Sequence, residues 1–129
     1  HAETEMAIDG QTMEIVTGDA GCVVSLLHPA DLKISQTDQF DPPPRDRIQL
    51  KEYHVTAETT TPEKEATFIA VLRPHRIGDV PEGDVVMAED QVIHIPLSDG
   101  KLKVVVDEKL RAEKMNKNGE VVAAFGRVF

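Results

Sequence analysis

Residues 66–76 read A-T-F-I-A-V-L-R-P-H-R. Phe68, Ala70 and Leu72 alternate with Ile69 and Val71, so an extended chain here is apolar on both faces. That is the pattern of a central strand covered on both sides. A buried helix is the competing interpretation of such a run, but this one is short and Pro74 stops it. The strand is expected to span Thr67 to Leu72 and to hand over to a small cationic cluster, Arg73, His75 and Arg76.

Outward from this stretch, three dipeptides punctuate the chain as hairpin turns: Asp9-Gly10, Asp99-Gly100 and Asn118-Gly119. Each offers residues that tolerate the positive φ of a two-residue loop. A loop at Asp99-Gly100 would pair Leu97 with Leu102, Ile95 with Val104 and Ile93 with Val106, all on one face. His94, Pro96, Lys103 and Val105 take the other face. Pro96 cannot donate to a ladder, so its strand is expected at an edge or to be irregular there. A loop at Asp9-Gly10 would pair Met6 with Met13 and Glu5 with Glu14.

Cys22, Val24 and Leu26 are expected inward on the next strand, with Ser25 outward. Ile48 and Leu50 share one phase and Tyr53 and Val55 the other, which predicts a β-bulge near Lys51-Glu52. Val106 to Met115 has a helix-like composition, but its flanks favour a strand, and Glu120 to Phe129 reads as a further strand. Pro42-Pro43-Pro44, in the loop from Thr37 to Asp46, suits a stiff crossover between sheets. The segment from Pro74 to Asp84 is polar and rich in Gly and Pro. About nine or ten short strands at this spacing predict an all-β fold, an antiparallel β-sandwich, in a single domain covering 1–129.

The composition fits that expectation. Of the 129 residues, 40% are hydrophobic and 29% charged, ordinary values for a globular chain. No apolar run approaches the ~20 residues of a membrane span. The net charge of −9 disfavours nucleic acid, anionic membranes and sulfated polysaccharides as partners unless a local basic patch overrides the mean field. Cys22 is the one cysteine, which excludes an intrachain disulfide, and its place in an apolar pattern marks it as a small core residue. The start at His1, without an initiator Met or a signal peptide, suggests a processed chain or a fragment of a longer protein.

Candidate chemistry is sparse. His1, His28, His54, His75 and His94 show neither H-x-H nor H-x₃-H spacing, so no metal or other cofactor is expected. No G-x-S-x-G elbow occurs. The 23 acidic residues lie in turns and on outer strand faces, so a glycosidase carboxylate dyad has no particular support. With no Trp and one Tyr, and with Phe68 and Phe125 assigned to the core, Tyr53, alone or with Phe40 in its loop, makes a poor sugar-stacking platform. The candidate ligand site is therefore Arg73, His75 and Arg76, with Lys101 and Lys103 as neighbours, since guanidinium forks suit carboxylate or sulfate groups. The competing interpretation is a solvated turn balancing the surrounding acids.

The order of features resembles the C-terminal β-sandwich region of heparinase II/III-like polysaccharide lyases. The matching pieces are H-A-E-T-E-M-A-I-D-G at 1–10, a strand running into L-L-H-P at Leu26–Pro29, T-F-I-A-V-L-R-P-H-R at Thr67–Arg76, and the following D-G hairpin. The resemblance implies a non-catalytic accessory portion. Its parent would be a bacterial periplasmic or secreted enzyme, and its partner the N-terminal α/α-toroid that cleaves acidic polysaccharide by β-elimination with Tyr and His. No residue here aligns with that Tyr or His. The alternative is a free-standing β-sandwich binding module for a protein or an anionic sugar. A small metal-dependent β enzyme is the third reading.

Overall fold

The computed structural model describes residues 2–43, 45, 52–89, 91–106 and 111–126. Among these residues the chain is all-β: eleven strands, no helix, and every strand pair antiparallel. The strands distribute over three sheets. The chain gathers into two compact units, His1–Val80 and Pro81–Phe129.

The first unit contains β1 (Ala7–Asp9), β2 (Thr12–Thr17), β3 (Ala20–His28), β4 (Leu32–Thr37), β5 (His54–Thr59) and β6 (Ile69–Arg76). A four-stranded sheet runs in the order β1-β2-β3-β6, and β4 and β5 pair as a separate hairpin. Two glutamines tie these elements together. Gln11 Nε2 donates to the Leu26 and Pro29 carbonyls at 2.8 and 2.9 Å, and its Oε1 accepts from Leu32 N at 2.7 Å. Gln36 on β4 brackets the Met6 backbone, accepting from its N at 3.1 Å and donating to its O at 2.9 Å.

The strand at the centre of the sequence argument differs from expectation in two ways. β6 is the terminal strand of its sheet, not a central one, with Ala70 exposed, Leu72 62% exposed and the preceding Phe68 50% exposed. It also runs through Pro74, which pairs with Cys22, and on to Arg76. Ile77 N bonds to Asp19 O at 3.0 Å. Since bonding alternates along an antiparallel pair, the odd residues of β6 face β3 and Pro74 N faces off the sheet. A missing N–H costs no ladder bond there, so the proline does not end the strand.

The phase of β3 is also reversed. Val23 and Ser25 are buried, at 7% and 4% exposure, whereas Cys22, Val24 and Leu26 are half-buried. Register explains the reversal: Cys22, Val24 and Leu26 lie opposite Pro74, Leu72 and Ala70, which stand open to solvent. The first hairpin closes over Gly10-Gln11 instead of Asp9-Gly10, pairing Asp9 with Thr12 and Ile8 with Met13. Gln11 is thereby placed in the loop, where its side chain makes the three bonds described above. The proline-rich loop is not a crossover, because it joins β4 to β5, which pair with each other. The expected bulge near Lys51-Glu52 lies outside the described residues.

The second unit contains β7 (Val86–Met87), β8 (Val92–Leu97), β9 (Gly100–Val105), β10 (Arg111–Asn116) and β11 (Val121–Gly126), in the sheet order β11-β10-β9-β8-β7. The hairpin joining β8 to β9 closes over Ser98-Asp99, with Leu97 opposite Gly100, Ile95 opposite Leu102 and Ile93 opposite Val104. This is two positions from the expected register, an even shift, so each side chain keeps its expected face. Gly100 serves close approach: a Cβ there would overlap the Met115 carbonyl on β10. Pro96 lies beyond the two-residue β7, which pairs only with Ile93 and His94, so its edge-like environment is as expected. The segment expected to favour strand over helix supplies β10. At its turn, Asn116 Oδ1 accepts from Asn118 N and Glu120 N, and Val122 is the extra residue of a bulge between Lys114 and Met115.

The buried apolar residues are Ala2, Met6 and Met13, with Val23, Val92 and Ile93. None of the described residues falls below 2% exposure taken as a whole. Phe125, expected in the core, is 62% exposed on β11 at the edge of its sheet.

Candidate functional site

β6 presents Arg73 and His75 on one face and Arg76 on the other, because alternate residues of a strand point to opposite sides. The three cationic residues therefore do not converge. Lys101 and Lys103, considered as neighbours, belong to β9 of the second unit.

The Arg73–His75 face is continuous with the buried side of β3. Arg73 pairs with Val23 and His75 with Gly21. Gly21 shapes the site, for a Cβ on it would overlap the imidazole Cε1 and Nε2 of His75. The His75 ring thus packs against Gly21 of β3, its side chain 2% exposed, and its Nε2 comes within 3.5 Å of Glu14 Oε1 on β2. Its Nδ1 lies 2.9 Å from the Arg76 carbonyl. A carbonyl only accepts, so Nδ1 carries a proton in this contact. Nε2 has no hydrogen bond, and protonation there would complete an ion pair with Glu14. The arrangement places a carboxylate beside the imidazole, so an anion at His75 would meet Glu14 as a like charge.

The other described histidines are dispersed. His28 is exposed at the end of β3, and the His54 ring is tilted against Phe40 at a centroid distance of 5.2 Å. His94 stands on β8 in a cross-sheet row with Lys103 and Glu113. No three His, Cys, Asp or Glu residues among those described gather as a metal site.

Clefts are found among the described residues of both units. In the second unit one of about 370 Å³ is lined by Leu97, Gly100, Lys101, Asn116, Lys117 and Gly119. In the first unit a larger one, about 570 Å³, is lined by Lys33, Glu58, Thr59, Thr60, Pro62 and Phe68. Sequence reasoning missed this second cleft because it assigned Phe68 to the core. The signal available was that Glu63, Lys64 and Glu65 precede Phe68 with no apolar residue between Pro62 and Ala66, a poor entry to a buried strand. Comparison with family models, with curated proteins and with solved structures returned no match.

Proposed function

We propose that this chain is the non-catalytic β portion of an exported bacterial heparinase II/III-like polysaccharide lyase, and that it supports the catalytic α/α-toroid. One observation carries the reading: the described residues bury few large apolar side chains while leaving others in the open. Leu72, Val121, Val122 and Phe125 are each more than half exposed. Val121, Val122 and Phe125 all lie on β11, the edge strand of its sheet. Concentrated apolar exposure of this kind marks a surface made to be covered by a partner. The resemblance carried by the segments at 1–10, 26–29 and 67–76 favours the toroid as that partner.

The test is the reading frame upstream of His1 together with an assay of the chain alone. An α/α-toroid coding sequence upstream, and no ultraviolet-absorbing unsaturated uronide when the chain is incubated with acidic polysaccharides, are the expected results. A signal peptide directly before His1, or product formation by the isolated chain, would overturn the proposal.

A further inference from the structure

The cleft of the first unit has the chemistry of a saccharide site. Phe68 presents an aromatic surface that is 50% exposed at its wall. A pyranose has one face of C–H bonds and a rim of hydroxyls, so it needs an aromatic platform bordered by donors and acceptors. The border is present. Lys33 on β4 and Glu58 on β5 are directly opposed across the hairpin, both exposed. Lys33 donates only and ionised Glu58 accepts only, so together they serve both roles a sugar hydroxyl can take. Thr59 and Thr60 add hydroxyls. Thr60 Oγ1 donates to Asp31 Oδ2 at 2.7 Å, which leaves its lone pairs free to accept. The volume, about 570 Å³, lies within the ordinary range of small-ligand sites.

Charge selects the kind of sugar. Lys33 and Glu58 cancel, Asp31 adds a negative charge behind Thr60, and the chain as a whole carries −9. A uronate or sulfate would be repelled; an uncharged ring would not. We propose that this cleft binds a neutral hexose unit of a polysaccharide, stacked on Phe68 and held at its rim by Lys33 and Glu58. The proposal rests on the cleft alone and stands or falls independently of the lyase reading.

The experiment is titration of the ¹⁵N-labelled chain with cellohexaose and mannohexaose, with heparin and polyguluronate oligosaccharides as anionic comparators. One neutral oligosaccharide should saturate with a dissociation constant on the order of millimolar, and the shifts should centre on residues 32–34, 57–60 and 68. Phe68→Ala should weaken binding about tenfold or more, while Phe68→Tyr retains it. Val80→Ala, at an exposed residue outside the cleft lining, should leave it unchanged. Because Phe68 is half exposed, its replacement leaves the folded spectrum intact, so lost binding is read directly. Absence of saturable shifts with either neutral sugar, tighter binding of an anionic comparator, or undiminished binding by Phe68→Ala would overturn the proposal.

Discussion

At the scale of single residues, two glycines act by what they leave out. Gly21 gives up its side-chain space to the His75 ring, and Gly100 gives up its own to the Met115 carbonyl. Gly21→Ala is expected to cost about 1–3 kcal/mol, the usual penalty for overfilling a packed site. The same change should cost less than half as much in a His75→Ala background, where the obstructing ring is gone. Urea unfolding of the four proteins in this cycle measures both numbers, and equal costs in the two backgrounds would show that the ring is not the obstacle. Residue-level legibility was uneven for the same reason. Asp99-Gly100 reads as a turn from its composition, but Gly100 is needed by the next strand, β10, a contact no local pattern reports. His75 was identified as a candidate and its partner Glu14 was not, since 61 positions separate them and only the β2-β3-β6 register brings them onto one face.

At the scale of elements, most strands could be read from alternation, whereas their registers and their place in the sheets could not. Ile93, Ile95, Leu102 and Val104 kept their common face because the register moved by an even number of positions. The edge position of β6 is not legible locally, because an apolar run on both faces fits a central strand and a sheet edge equally well. The β8-β9 hairpin also carries a pH-sensitive contact. Lys114 on β10 donates to Asp99 Oδ2 at 2.7 Å, and this hydrogen bond and the ammonium charge hold the Asp99 carboxyl below its ordinary range. A depressed carboxylate stabilises the fold fully above the unfolded-state value and loses that effect as pH falls through the folded one. The wild-type chain should therefore exceed Asp99→Asn in stability at neutral pH by a small margin, since the pair is exposed. The two urea midpoints should converge on acidification. A difference that persists unchanged into strong acid would assign the effect to something other than this ion pair.

At the scale of the whole molecule, strand alternation and turn spacing announced an all-β chain, and the described residues fold as one. What they did not announce is how much apolar surface stays uncovered, because a pattern of alternation shows that a strand has an apolar face without showing what that face meets. Val121, Val122 and Phe125 on the β11 edge are expected to make the isolated chain self-associate with increasing concentration. Sedimentation velocity should show the average mass rising with concentration in the wild type and rising less in Val122→Lys. Identical behaviour of the two would mean that β11 is not the adhesive surface.

Pro74 gives the uncovered β6 edge a further property. A terminal strand with a full row of outward N–H groups is a template on which another extended chain can add, copy upon copy, toward cross-β fibrils. On β6 that row is broken at Pro74, between Leu72 and Arg76, so an incoming strand loses a donor in the middle of its ladder. The residue that the sequence presents as a stop signal for the strand thus works as a guard against amyloid growth from its open side.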